Sequence, residues 1–411
     1  MKSLRSCSNP WLYAAVFYLL AFQNPLTVYL WSGFSYLDEL FALGGAVVFL
    51  LRYCLCGQIR IRRDTVLLLL MLAGFVLCGI AGNLRFGYQP MNAVLKDIYT
   101  NLKFFLSVLA GYYLFRYADP GKKVMLRHCH AGILALSVLL AADIVFGIFP
   151  TFGIRYGVAV RSLIFGHVTY LAGTCVFLLA LVLIHYEAQE LPFLILGLIL
   201  LISTLRGKAL AGAVVCVAIF RRVILQRKKP ALAQILLVGA VGILIAWEQI
   251  RYYYIDLAGE SARSQLLLTS ARIVGDCFPI GTGFGTYGSD VAASTYSPVY
   301  VRYGFLRHPE LQPGSSFFSD TFWPIILGQT GFLGTVFYLA ALALLFAKAH
   351  RIRTVSRNSY AAVLFLAAYL LISSTSEPTF CNTVSIPPAM LLGRVLAAVP
   401  DTERSVAYGR P

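Results

Sequence analysis

The sequence predicts an all-α polytopic membrane protein, and three observations carry that prediction. Of its 411 residues, 59% are hydrophobic and only 13% are charged, with a mean hydropathy of +0.74, which excludes a water-soluble core. The apolar residues fall into runs long enough to cross a bilayer as helices, the form that satisfies its own backbone in lipid. Short clusters of Lys and Arg separate those runs. The net charge of +16 therefore marks topology and not nucleic-acid binding.

Roughly twelve spans follow: 11–31, 35–55, 65–82, 98–115, 129–149, 164–185, 191–205, 208–220, 231–250, 322–347, 359–375 and 384–399. The first begins after Lys2 and Arg5, but its run is long and no small-x-small site follows, so it is kept as a span and not a signal peptide. Arg60, Arg62 and Arg63; Arg116, Lys122, Lys123 and Arg127; Arg221, Arg222, Arg227, Lys228 and Lys229; and Lys348, Arg351, Arg353 and Arg357 occupy alternate turns. Basic residues stay on the cytoplasmic side, so those turns face inward. The turn from His185 to Glu190 carries Glu187 and Glu190 without Lys or Arg and is the weakest point of this topology.

Arg206-Gly207-Lys208 interrupts about thirty apolar residues between 191 and 220. Read as one span, the segment would flip every later turn and put Arg221 through Lys229 outside, so two short spans are expected. At ~1.5 Å per residue the first falls short of a ~30 Å core, which places Arg206 below the outer surface, against a polar cavity. Three regions result: helices 1–9 over 1–250, one large periplasmic loop over 251–321, and helices 10–12 with a cytoplasmic tail over 322–411.

The loop holds Arg251, Arg263, Arg272, Arg302 and Arg307 on a face where basic residues are normally scarce. Ser261 to Asp276 alternates apolar residues and arginines in a pattern compatible with a helix near the interface, which Pro279 stops. In Ile280-Gly-Thr-Gly-Phe-Gly-Thr286, Gly281, Gly283 and Gly285 let the backbone pass close to a ligand or bend tightly; no strand precedes them, so a nucleotide fingerprint is disfavoured. Tyr287, Tyr296, Tyr300 and Tyr303 follow, suited to stacking on sugar rings or to anchoring at an interface. Asp38, Glu39 and Asp143 are expected to pair with outer arginines. The nine cysteines show neither metal-ligand spacing nor a disulfide framework; Cys54-Leu55-Cys56 is too closely spaced for zinc, and Cys277 and Cys381 both face outward and could pair.

These residues resemble the O-antigen polymerase and ligase superfamily. The resemblance rests on Ser203-Thr-Leu-Arg-Gly-Lys208, on Arg263, on Asp276-Cys-Phe-Pro-Ile-Gly-Thr-Gly-Phe-Gly285, and on Asp320-Thr-Phe-Trp-Pro-Ile-Ile-Leu-Gly-Gln-Thr-Gly-Phe-Leu-Gly334 entering a helix. Its motifs occupy 203–212 and 261–334, and their order is more specific than any one of them. It implies a C-type glycosyltransferase-like fold in the bacterial inner membrane. The implied reaction is a metal-independent, cofactor-free, inverting transfer of glycan from undecaprenyl diphosphate to a hydroxyl, facing the periplasm. Donor and acceptor glycans, membrane lipids and a chain-length regulator are the implied partners, with no nucleic acid.

Carried over by position, Arg206 and Arg263 match the family arginines and Arg272 is a third, suited to a diphosphate because the guanidinium fork pairs with its oxygens. Ligases commonly have His-Asn where this chain has Ser319-Asp320, which favours a polymerase over a ligase. Asp320 is the candidate base and His308 its reserve, although Asp320 could equally cap the following helix. A flippase or exporter of lipid-linked sugars is the rival outside the enzymes; it should show paired repeats, and none is evident.

Overall fold

The computed structural model describes residues 9–56, 63–231, 251–257 and 260–399, with isolated positions between 239 and 247. Most of the span expected at 231–250, the basic turn at Arg60 and Arg62, and the tail after 399 lie outside the described residues. The rest is almost entirely helical, and its architecture is that of a helical membrane protein.

The main helices are α1 (Pro10–Ala21), α2 (Gln23–Tyr29), α3 (Leu37–Cys56), α4 (Arg63–Phe86), α5 (Met91–Tyr117), α6 (Lys122–Phe146), α7 (Val168–Ile184), α8 (Leu191–Ser203), α9 (Gly207–Ile219), α10 (Ala262–Cys277), α11 (Trp323–His350), α12 (Arg357–Ser373) and α13 (Ile386–Ala398). Among the described residues, four helical stretches are long and apolar enough to cross a membrane: Ser32–Arg52, Arg63–Phe86, Lys122–Phe146 and Trp323–Thr354. The pair α1 and α2, bent by 68°, makes a fifth if counted as one span. Helices α7, α8, α12 and α13 are apolar but shorter. Helix α5 is long, but Lys96, Asp97 and Lys103 lie within it.

Burial sorts these helices into a centre and a periphery. Every residue of α7 except Tyr170 is buried, as expected of a helix that is apolar all round. It packs against α6, α8, α12 and α13. By contrast α3 leaves Leu40, Val47, Leu50 and Leu51 exposed in a row, a contiguous apolar surface that suits lipid and not water. Helices α5 and α13 touch backbone to backbone, since a Cβ on Gly393 would fall 2.3 Å from the Val108 carbonyl oxygen; small residues allow such approach between helices in lipid.

Two features depart from expectation, and the open question of Cys277 and Cys381 is answered. A β-hairpin, Thr151–Arg155 with Val158–Arg161, stands between α6 and α7 in an otherwise helical chain. Its two turn residues, Tyr156 and Gly157, both have positive φ (53° and 73°), the geometry that matches the twist of a two-residue hairpin. The segment between 260 and 322 is a folded unit and not an open loop: α10 and several short turns close on a core that includes Leu266, Ile273, Tyr287, Tyr300, Phe305 and Phe318. Tyr287 and Tyr300 are fully buried there, and Tyr300 stacks on Phe318 at 4.3 Å. Those two rings are core and not a sugar platform. Cys277 and Cys381 are both free thiols, with Cys381 directed at the Asn101 side chain.

Candidate functional site

The break between α8 and α9 builds the first half of the site. Leu205 has positive φ (48°) and Arg206 is extended as the N-cap of α9, so the chain turns between two short helices. Arg206 Nη2 donates to Thr169 Oγ1 at 3.1 Å and lies 3.5 Å from His167 Nε2. His167 caps α7, and its Nδ1 accepts the Thr169 N–H at 3.3 Å. With Nδ1 accepting, the proton of a neutral ring sits on Nε2. The 3.5 Å contact with Arg206 is a hydrogen bond only in the other tautomer, in which Nε2 accepts.

Lys208, in the first turn of α9, is buried and forms an ion pair with Glu377. Its Nζ also lies 3.4 Å from Thr169 Oγ1. Glu377 follows α12 and accepts in addition from the Ser373 hydroxyl, so the carboxylate is held at both oxygens. A buried ammonium needs such a partner because desolvation penalises it.

The second half comes from α10 and the approach to α11. Ser261 caps α10 by accepting from the Ser264 N–H, and Glu310 Oε2 accepts the Ala262 N–H at 2.8 Å. This fixes the first turn, from which Arg263 Nε donates to Asp320 Oδ2 at 3.2 Å. Burial lifts the Asp320 carboxyl above its ordinary value, and the Arg263 and Arg206 guanidiniums partly offset that. Asp320 does not cap the next helix: Phe322 occupies the N-cap of α11, which lacks a side-chain cap bond.

The two halves meet. Arg155, from the hairpin, Arg263, Glu377 and Asp320 all lie within electrostatic reach of Arg206. Four cations, Arg155, Arg206, Lys208 and Arg263, thus lie among three carboxylates, Asp320, Glu377 and Glu310, a formal excess of one positive charge. Among the described residues, Arg206 Nε and Arg155 Nη1 are buried with no hydrogen-bond partner, and each can take an acceptor from water or a ligand. An anion with several oxygens satisfies both the charge and the donors.

The other predicted residues lie elsewhere. Arg272 is nine residues after Arg263, which at ~3.6 residues per turn puts it on the opposite face of α10, and it is exposed. His308 sits edge-on to Phe305 at 6.4 Å, and among the described residues no side-chain bond joins it to Asp320. Gly281, Gly283 and Gly285 serve the fold. The Thr282 and Gly283 N–H groups donate to the Gly328 and Gln329 carbonyls at 3.0 and 2.8 Å, where α11 breaks at Gly331 (φ 69°, ψ −165°). A Cβ on Gly281 would fall 2.4 Å from the Gly328 oxygen, and one on Gly283 would fall 2.5 Å from the Asn83 nitrogen. The glycines let backbone approach backbone, satisfying carbonyls that the helix break sets free. Gly285 N–H donates to the buried Asp97 carboxylate at 2.9 Å.

Asp143 pairs with Arg161 as expected. Asp38 pairs instead with Lys103 of α5, at 2.5 Å. Sequence reasoning passed over Arg155, His167, Lys208 and Glu377 as site residues. A signal existed for two of them: Arg155 is basic in a turn expected outside, and Glu377 is acidic between two apolar runs.

No family model and no curated protein matches the chain. What the site can do rests on its residues and their geometry.

Proposed function

We propose that the protein is a glycosyltransferase of the bacterial inner membrane that polymerises lipid-linked oligosaccharide repeat units. The observation that carries this is the electrostatic proximity of Arg155, Lys208 and Arg263 to Arg206, with two buried guanidinium nitrogens that have no partner among the described residues. A lipid diphosphate has the charge and the oxygens for such a site, and arginine stabilises it further as it departs with more negative charge. The helices are assigned to about twelve spans, with the 260–322 unit and the cation cluster on the periplasmic side; the alternating basic turns support that orientation.

In this account the acceptor hydroxyl oxygen attacks the anomeric carbon of the donor glycan. The bond from that carbon to the diphosphate oxygen breaks, and undecaprenyl diphosphate leaves with the electron pair, inverting the centre. The hydroxyl proton passes to the Asp320 carboxylate, whose raised pKa makes it a stronger base than an exposed Asp. Arg263, bonded to Asp320, orients the carboxylate and faces the leaving group. Arg206 and Lys208 hold the diphosphate from the other side.

Incubating the purified chain with synthetic lipid-linked repeats, with and without lipid A core, tests the proposal. A ladder of products in the absence of core is the expected result. A single transfer onto core would make the protein a ligase, and intact donor under both conditions would leave a transporter.

A further inference from the structure

The β-hairpin between α6 and α7 divides into a fixed base and an apolar tip. At the base, Arg161 Nη1 donates to the Asp143 backbone oxygen at 2.7 Å and also pairs with the Asp143 carboxylate. Val160 is buried, and Phe152 meets the His167 ring edge-on at 5.4 Å. At the tip, Ile154, Tyr156 and Val158 are 76%, 63% and 56% exposed. Arg155 lies between them, yet its Nη1 is buried and, among the described residues, has no partner. The register sets Arg155 opposite Val158, next to the Tyr156-Gly157 turn.

A tip that joins one inward-directed cation to three large exposed apolar residues suits an amphiphilic anion better than a soluble one. Water would penalise each of these exposed apolar side chains, and hydrocarbon would cover them; Val158, paired with Arg155, shares its face of the hairpin, and Ile154, paired with Ala159, lies on the other. The anchored base touches His167 through Phe152, and His167 itself faces Arg206. A ligand whose diphosphate lies between Arg206 and Arg155 would lead its hydrocarbon chain out past Val158 on the Arg155 face and around the tip toward Ile154.

We infer that the hairpin is the specificity element for the lipid part of the substrate: Arg155 contacts the diphosphate, and Ile154, Tyr156 and Val158 seat the first isoprene units of the prenyl chain. The inference rests on the proposed diphosphate site and adds to it which element separates a prenyl-linked diphosphate from a soluble one.

Two probes, undecaprenyl diphosphate and inorganic pyrophosphate, test it by calorimetry on the full-length chain in nanodiscs. Arg155→Gln weakens both probes by about tenfold, since each loses a charge-assisted hydrogen bond. The double variant I154S/V158S weakens undecaprenyl diphosphate by a similar factor and leaves pyrophosphate unchanged, which also shows that the site is still folded. Photoactivation of p-benzoylphenylalanine in place of Tyr156 gives an adduct with undecaprenyl diphosphate at equimolar amounts in a phospholipid excess. Wild-type binding of both probes with no change in any hairpin variant, or adducts to bulk phospholipid alone, overturns the hairpin's role while leaving the diphosphate site standing. Failure of the wild-type chain to bind either probe overturns both.

Discussion

Arg263 Nε donates to Asp320 Oδ2 at 3.2 Å, joining the first turn of α10 to the segment that leads into α11. The contact ties a candidate phosphate-binding cation to the candidate base. It also explains why Asp320 is not a helix cap: its carboxylate is directed at a guanidinium and not at the N–H groups of α11. The distance is that of one hydrogen bond, short enough for the arginine to orient the carboxylate and long enough to open when an anion competes.

Asp320→Asn separates a base from a structural partner. The amide keeps an acceptor for Arg263 but takes no proton, so chain elongation is lost while donor binding and folding persist. Turnover of wild-type magnitude by the purified variant at saturating donor contradicts the role. In the wild type the base is the ionised form, so activity rises as pH climbs through a value above the ordinary carboxylate range. That limb disappears in Asp320→Asn.

The same shift has a consequence for stability. Folding raises the Asp320 pKa, so the folded state binds the proton more tightly than the unfolded chain. The contribution to stability is full below the ordinary carboxylate pKa and is lost as pH rises through the raised value. Unfolding curves of wild type and Asp320→Asn therefore converge at low pH and separate above that window, the variant being the more stable. Curves separated by a constant amount across the window contradict it.

Arg206→Lys and Arg263→Lys keep the charge and lose the planar fork. Each is expected to lower turnover by at least about tenfold, the cost of one or more charge-assisted hydrogen bonds. Arg272→Ala, on the opposite exposed face of α10, is expected to remain near wild type. Polymer yield and chain length in cells, normalised to protein level, distinguish the three.

Glu377→Gln removes the ionic partner of buried Lys208. Leaving that ammonium unpaired costs about 3 kcal/mol of stability, measurable as a lower denaturation midpoint. The site also gains one unit of net positive charge, so pyrophosphate binds more tightly to the folded variant. Unchanged or weaker pyrophosphate binding contradicts the placement of Glu377 within the cluster.

Local features were legible in the sequence and distant pairings were not. Helix α10, Ala262–Cys277, matches the segment expected from Ser261 to Asp276, because its cap, its period and the following proline are local signals. The split at Arg206 followed from charge bias alone, and the structure breaks the helix there. The separation of Arg272 from Arg263 was legible in helical periodicity, since nine residues reverse the face. The contact between Lys208 and Glu377, however, depends on the packing of α9 against α12, which no local pattern encodes. The Gly281 to Gly285 segment advertised close approach, and its partners are Asn83 and the break in α11, so packing accounts for that signal. Tyr287 and Tyr300 were indistinguishable from surface tyrosines until the core of the 260–322 unit enclosed them.

The measurement that tests the central claim most directly is an electron cryomicroscopy map of the full-length chain in nanodiscs with undecaprenyl diphosphate. The account predicts diphosphate density within hydrogen-bond distance of Arg206, Arg155 and Arg263, with the prenyl chain leaving beside Ile154 and Val158. Diphosphate density at any other place on the protein, with Arg206 Nε still unpartnered, would contradict it.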